Sequence, residues 1–122
     1  MVIVRAASRA AGRPWAGRVL GWVFSRMSFV LPVRRLRGTH SLLAFYHPSP
    51  AYSVHILIVP KRAYASLMDL SAPDVPFLAD LVETVQALVR ELDLERGGYR
   101  LVVNGGEFQD VPQLHFHLIS GG

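Results

Sequence analysis

Apolar positions in the first quarter of the chain recur at helical spacing. Between residues 18 and 31 they lie three or four positions apart, and Trp22 and Phe29 broaden the stripe. Pro32 should end this helix, because the residue before a proline is disfavoured in the α conformation. We therefore predict a helix over residues 18–31. Its stripe consists of Val19, Leu20, Val23, Phe24, Met27, Val30 and Leu31.

Two shorter apolar runs, residues 42–46 and 54–59, are typical of β-strands. The second reads VHILIV, which is mostly β-branched or aliphatic, and Pro60 follows it. The segment between them begins His-Pro-Ser-Pro at residues 47–50, and two prolines favour a turn over a central strand. The two runs are expected to form an antiparallel pair.

A long helix and two more strands complete the pattern. Asp74 is the predicted N-cap, Pro76 is tolerated in the first turn, and the glycines at 97 and 98 close the segment. Strands are predicted over residues 99–103 and 111–119. The apolar face of the helix is formed by Phe77, Leu78, Leu81, Val82, Val85, Leu88, Val89 and Leu92.

The predicted order of elements is helix, strand, strand, helix, strand, strand. Short turns between consecutive strands favour a mostly antiparallel sheet with helices packed against it, which is the α+β class. The chain has 122 residues, which suits one domain. We place that domain at residues 18–122 and expect a basic, flexible leader over residues 1–17.

Charge is distributed unevenly along the chain. Residues 1–40 contain eight arginines and no acidic residue, whereas the rest contains five basic and nine acidic residues. The basic third could contact an anionic membrane through residues 1–31, bind nucleic acid through charge alone, act as a transit peptide, or be a plain solubilising tail. We expect no specific nucleic-acid partner. A membrane span is disfavoured because the most apolar stretch contains Arg18 and Arg26.

Cysteine is absent from the sequence, which excludes disulfides, a thiolate nucleophile and a cysteine-based zinc site. This composition is compatible with a reducing compartment, and we expect the protein to be cytoplasmic.

The candidate chemistry lies in the last predicted strand. Because side chains alternate between the faces of a strand, Gln113, His115 and His117 should share one face, about 7 Å apart for next-but-one neighbours. Two imidazoles and an amide in a row can bind one anionic group. The preceding loop, residues 104–109, is rich in glycine and amide, and glycines let backbone N–H groups approach a phosphate. A zinc site formed by His55, His115 and His117 is an alternative.

The segment QLHFHLI at residues 113–119 resembles the signature of the histidine-triad (HIT) family, in which three histidines alternate with apolar residues. The runs LAF at 43–45, HILIVPK at 55–61 and GYRLVVN at 98–104 resemble the small nucleotide-binding branch of that family. The resemblance spans about residues 20–122. It implies a five-stranded-type sheet with an N-terminal helix and one long helix packed on it, and a homodimer without a cofactor or metal.

The resemblance also implies roles for individual residues. His115 would attack the α-phosphate of a nucleoside phosphate and form a nucleotidyl-histidine intermediate. The substrate would be a phosphoramidate, an adenylate or a dinucleoside polyphosphate. His117 would bind phosphate oxygens and assist the leaving group, and His55 would support the catalytic rings. The remaining positions implied to bind a purine nucleotide are Asn104, Gln109, Gln113, His47 and Asp110.

Three of these positions depart from the family pattern. Gln113 replaces the first histidine of the triad, His47 stands at a ribose-binding aspartate, and Asp110 replaces a small polar residue near the phosphate. Because the nucleophile position is still histidine, attack is expected to survive, at a reduced rate. The alternative is a catalytically weak or inactive module that binds nucleotide as a sensor.

Overall fold

The computed structural model describes residues 35–122. The predicted leader at residues 1–17 and the predicted helix at 18–31 lie outside the described residues, and so does the boundary between leader and domain.

Five antiparallel strands form one sheet in the order β1-β2-β3-β5-β4. This confirms the predicted α+β class with an antiparallel, five-stranded sheet. The three central strands β2, β3 and β5 supply most of the buried positions of the sheet. The strand bounds are β1 Arg35–Gly38, β2 Leu42–Tyr46, β3 Val54–Pro60, β4 Arg100–Val103 and β5 Phe116–Ser120.

The pattern of apolar residues did not predict β1. Its sequence, RLRG, carries one apolar residue. Among residues 35–122 the strand lies at an edge of the sheet and pairs only with β2. Edge strands need less apolar surface because one side of the strand has no neighbouring strand. The pairing and an ion pair from Arg37 to Glu91 on the long helix hold β1 in place.

The long helix α1 spans Val75–Glu91 with Asp74 as its N-cap residue, as predicted. The Asp74 carboxylate does not cap α1; it accepts hydrogen bonds from the Ser71 backbone N–H (2.8 Å) and from the Tyr64 hydroxyl. A short helix α2, Leu94–Gly97, follows after Asp93, which has a φ of 54°. In residues 35–122 no helix is both long enough and apolar enough to span a membrane.

One face of the sheet packs against α1 and forms the main core. The opposite face carries a smaller apolar cluster of Leu43, Phe45, Leu57 and Val59, beside which the histidines of the next section lie. The main core contains Leu42, Ala44, Ile56, Ile58, Phe116 and Leu118 from the sheet and Phe77, Leu81, Val85, Leu88 and Val89 from α1.

The predicted start of the last strand was wrong. The strand begins at Phe116, not at residue 111, because Pro112 has no N–H to donate and the Gln113 N–H bonds back to the Val111 carbonyl (2.8 Å). The Leu114 N–H donates to the Tyr64 carbonyl (2.8 Å), which ties this bent segment to another loop. Strict alternation therefore holds only from Phe116 onward, and it cannot place Gln113 and His115.

Candidate functional site

Two central strands bring His55 and His117 together. On β3 His55 lies opposite Ile119, and on β5 His117 lies opposite Leu57, so the two histidines are diagonal neighbours on one face. Their ring centroids are 5.2 Å apart, and His55 Nε2 lies 2.9 Å from His117 Nδ1. The distance is that of a direct hydrogen bond between the rings.

Two further imidazoles extend this pair on either side. His47 follows β2, and its ring stacks on His55 with the centroids 4.2 Å apart. His115 immediately precedes β5, and its ring meets His117 edge to face at 5.0 Å. The structure thus places four predicted site histidines in one continuous row of rings.

Hydrogen bonds fix which ring nitrogen carries the proton in the inner pair. The Ala51 backbone N–H lies 3.1 Å from His55 Nδ1, so Nδ1 accepts and the proton of the neutral ring is on Nε2. His55 Nε2–H then donates to His117 Nδ1. It follows that neutral His117 carries its proton on Nε2 and offers that N–H as a donor.

His115 has the opposite arrangement. Its Nδ1 lies 2.6 Å from the main-chain carbonyl oxygen of Gln113, and a carbonyl only accepts. The proton of neutral His115 is therefore on Nδ1, and its lone pair is on Nε2. Neighbouring rings thus present unlike nitrogens: an Nε2 lone pair on His115 and an Nε2–H on His117.

The surroundings keep the inner histidines neutral. Burial lowers the pKa of His117 to about 4, and repulsion from His115, His55 and His47 adds to the effect. Burial, followed by repulsion from His47, also lowers the pKa of His55. The pKa of His47 is lowered by burial and then by His115. The donor and acceptor assignment for His55 and His117 therefore holds at neutral pH.

These pKa shifts predict a loss of stability in weak acid. Below pH 6.5 histidines in the unfolded chain take up protons, whereas folded His117 stays neutral down to about pH 4, so the free energy of unfolding falls across that interval. We expect urea unfolding at pH 7.5 and pH 5.0 to show this fall, and His117→Asn to make it shallower. An equal fall in both proteins would contradict the lowered pKa.

Between pH 7.5 and pH 5.0 the change in stability reports on histidines and not on carboxylates with a lowered pKa. The pKa of Asp74 is lowered mainly by its hydrogen bond from Tyr64, and that of Asp80 by hydrogen bonds from Ser41 and Thr39 against the opposing effect of burial. A carboxylate with a lowered pKa loses its stabilising contribution only as pH falls below the unfolded value, about 4. Both contributions are therefore retained at pH 5.0.

Asn104 joins the histidines at a cavity. It lines a cavity of about 250 Å³ together with His55, His117, Val102 and Ile119. Tyr52 completes the wall and meets the His55 ring edge to face, with the centroids 5.5 Å apart. Tyr52 was not predicted from the sequence, where its one signal is its position three residues before the strand residue His55.

Gln109, Asp110 and Gln113 are not among the residues that line this cavity. The Gln109 amide donates to the carbonyls of Ala65 (2.7 Å) and Val111 (2.9 Å), so it fastens two loops together. Asp110 is exposed in the same loop. Gln113 is 1% exposed, and among residues 35–122 its Nε2 has no hydrogen-bond partner.

A larger cavity of about 410 Å³ lies at the other end of β3, beside Pro60, and is lined in part by Lys61, Arg62 and Tyr64. It is separated from the histidine row by the length of the strand, so we place the site at the smaller cavity because the paired imidazoles are there. Within residues 35–122 no group of three or more His, Asp or Glu side chains is arranged to hold a metal ion.

Comparison with known proteins finds relatives of similar sequence and fold. An uncharacterized 13.2 kDa HIT-like protein of Azospirillum brasilense is 35% identical over 94 residues, which cover 75% of this chain and 77% of the relative. A HIT family hydrolase from Clostridium thermocellum has a TM-score of 0.75 at 29% identity, with 82% of this chain and 90% of that chain covered.

A histidine triad nucleotide-binding protein from Candida albicans has a TM-score of 0.71 at 27% identity, covering 82% of this chain and 75% of that chain. The family model described as the HIT domain matches residues 30–122. The chain therefore belongs to the HIT family.

Proposed function

We propose that the protein hydrolyses or transfers the nucleotidyl group of a nucleoside phosphate through a covalent intermediate on His115. One observation carries this proposal. The rings of His115 and His117 are neighbours, 5.0 Å apart, and Nε2 carries a lone pair on His115 and a hydrogen on His117. A phosphoryl centre needs a nucleophile on one side and a hydrogen-bond donor for its charged oxygens or leaving atom.

The reaction proceeds in two displacements. His115 Nε2 attacks the α-phosphorus, and the bond from phosphorus to the leaving atom breaks with its electron pair on that atom. Water then attacks the phosphorus, and the bond to Nε2 breaks and returns its electron pair to the ring. One water is consumed overall, with a proton ending on the leaving atom and the hydroxyl on phosphorus.

The inner histidines and a main-chain carbonyl orient the reacting rings. The Gln113 carbonyl holds the His115 proton on Nδ1, and the hydrogen bond from His55 holds the His117 proton on Nε2. We assign His117 Nε2–H to the phosphoryl oxygens and the leaving atom. As the charge of the substrate develops, both contacts are already in place, which lowers the cost of reorganisation.

The glutamine at the first triad position is compatible with turnover. The contact that orients His115 comes from the main chain of residue 113, and the side chain of that residue is buried away from solvent. Replacing a histidine side chain at this position therefore leaves the carbonyl contact intact. We expect a working nucleophile, at a rate lowered by the loss of one imidazole.

A purine nucleotide is the proposed ligand. Asn104 lines the cavity beside His117, and the Candida albicans neighbour is described as nucleotide-binding. The test is to incubate the protein with adenosine 5′-phosphoramidate, follow AMP release by chromatography, and titrate AMP by calorimetry. Binding of AMP without its release would support the alternative, a sensor without turnover, and neither binding nor release would contradict both functions.

We also propose a homodimer. Strand β4 is an edge of the sheet, and α1 exposes Val75, Leu78 and Val82 at intervals of three and four residues, which places them on one stripe. Tyr99 and Leu101 are also exposed at the β4 edge. A second copy could cover the stripe on α1 and continue the sheet beyond β4.

Val82→Glu is expected to dissociate this dimer. Val82 is 51% exposed, so a glutamate is tolerated in the monomer, whereas burying an unpaired carboxylate in an interface should raise the dissociation constant by about 10² or more. Sedimentation equilibrium measures the change. Met68→Glu, at a residue 86% exposed away from α1, is the control and should leave association unchanged. Equal association of all three proteins would exclude this face.

We propose that the protein is cytoplasmic and that its N-terminal residues contact membranes. A contact of residues 1–31 with anionic membranes is tested by sedimentation with liposomes, where no dependence on anionic lipid would end the idea.

A further inference from the structure

A second cavity lies next to the cavity at His117. The second cavity has a volume of about 360 Å³ and shares Tyr52 and Ile119 with the first as lining residues. Its remaining wall is formed by Gly97, Gly98, Tyr99, Arg100 and Gly121. We call the two neighbouring cavities together the Tyr52–Arg100 groove.

Strand register places a cation in this groove beside His117. Ile119 of β5 lies opposite Arg100 of β4, and His117 lies opposite Val102. Arg100 and His117 are therefore diagonal neighbours on one face, about 7–8 Å apart at the backbone, a gap that an arginine side chain can span. No hydrogen bond or ion pair engages the Arg100 guanidinium within residues 35–122.

The geometry of the proposed reaction indicates which part of the substrate lies in this groove. The lining of the smaller cavity includes His117 but not His115, so the cavity opens on the side of the N–H donor. In a displacement at phosphorus, the leaving atom departs in line with and opposite to the nucleophile. A leaving group that accepts the His117 hydrogen bond would therefore extend into the Tyr52–Arg100 groove.

We propose that the Arg100 end of the Tyr52–Arg100 groove, the larger of its two cavities, is the leaving-group subsite and that Arg100 selects leaving groups carrying a carboxylate or a phosphate. This inference rests on the proposed function and adds the chemical class of the leaving group to it. A guanidinium binds either anion through two parallel N–H donors. Tyr52 lines both cavities, together with His117 in the smaller one and with Arg100 in the larger one.

Three substrates that differ only in the leaving group test the subsite. In each, the α-phosphate of AMP is joined through nitrogen to glycine (a carboxylate), to 2-aminoethyl phosphate (a phosphate) or to glycinamide (neutral). We expect kcat/KM for at least one anionic substrate to exceed that for the glycinamide compound by about tenfold or more, the effect of one charge-assisted hydrogen bond. The larger of the two ratios identifies the preferred anion.

Substitutions of Arg100 test whether this residue causes the preference for anionic leaving groups. Arg100→Gln should bring the ratio of anionic to neutral substrates close to one, and Arg100→Lys should retain part of it. Arg96→Gln, an exposed arginine on α2 outside the lining of the groove, should keep the wild-type ratio. Turnover of all three substrates with a ratio near one, or a ratio unaffected by Arg100→Gln, would overturn the subsite while the proposed function stands.

Binding to His115→Ala makes the test independent of turnover. Calorimetric dissociation constants of the three compounds should show the same preference, and adding Arg100→Gln should remove it. If the wild-type protein bound the anionic compounds selectively but hydrolysed none, the proposed function would fail and the anion site would remain. Equal dissociation constants for all three compounds would overturn the anion site directly.

Discussion

His115→Ala is expected to lower the turnover of adenosine 5′-phosphoramidate at least about 10³-fold, because removing a covalent nucleophile leaves only binding and electrostatic assistance. The remaining rings, His55 and His117, keep their mutual hydrogen bond, since His115 takes no part in it. AMP binding should therefore persist. AMP release followed by chromatography measures the first effect, and calorimetry measures the second.

The matched control is His40→Ala, an exposed histidine before β2 that lies outside the row of rings. It should retain wild-type turnover. Mass spectrometry of acid-quenched protein should find AMP attached to the wild-type chain and absent from the His115 variant. A His115→Ala protein with more than a tenth of wild-type activity would show that another group attacks the phosphorus.

Leu118→Ala is expected to reduce the free energy of unfolding by about 2–5 kcal/mol, the usual cost of a large-to-small change in a buried core. Leu118 is 0% exposed and lies between His117 and Ile119 on β5, with its side chain in the core that α1 covers. Urea unfolding at neutral pH measures the loss. The substitution removes contacts on the face opposite the histidines.

Leu67→Ala provides a comparison with the same chemical change. Leu67 is 44% exposed in a short 3₁₀ turn, and its replacement should cost less than about 1 kcal/mol. If both variants lost equal stability, the division of the sheet into a core face and a histidine face would be wrong.

Local patterns predicted the central elements of the fold well. The strands at 42–46 and 54–60 and the helix from Val75 consist of long apolar runs or clear helical stripes, and these are the elements that bury most. β1 gave no such signal, because a four-residue edge strand is specified by pairing to β2 and not by its own composition. The start of β5 was misplaced because alternation continues through residues 113–115, where proline and a tight turn bend the backbone.

The sequence singled out the histidines whose rings lie together but did not predict how those rings are arranged. Alternation and the family resemblance singled out His115 and His117, but the contact of His55 with His117 depends on the register of β3 against β5. Register is a tertiary property that a single sequence does not encode locally. The stacking of His47 and the position of Tyr52 depend on the path of the loop between β2 and β3 for the same reason.

The contact between His115 and the carbonyl of residue 113 has a consequence for how the protein tolerates change. Every amino acid has a main-chain carbonyl, so a substitution at residue 113 does not remove it. Residue 113 can therefore vary while the contact that orients His115 is kept. What such variation can damage is the bend of the chain from Val111 to Leu114, which aims the carbonyl at the ring. The orientation of the His115 ring, the proposed nucleophile, thus depends on the shape of the backbone. Substitutions that alter the geometry of this turn should therefore disturb it more than a loss of side-chain polarity at residue 113.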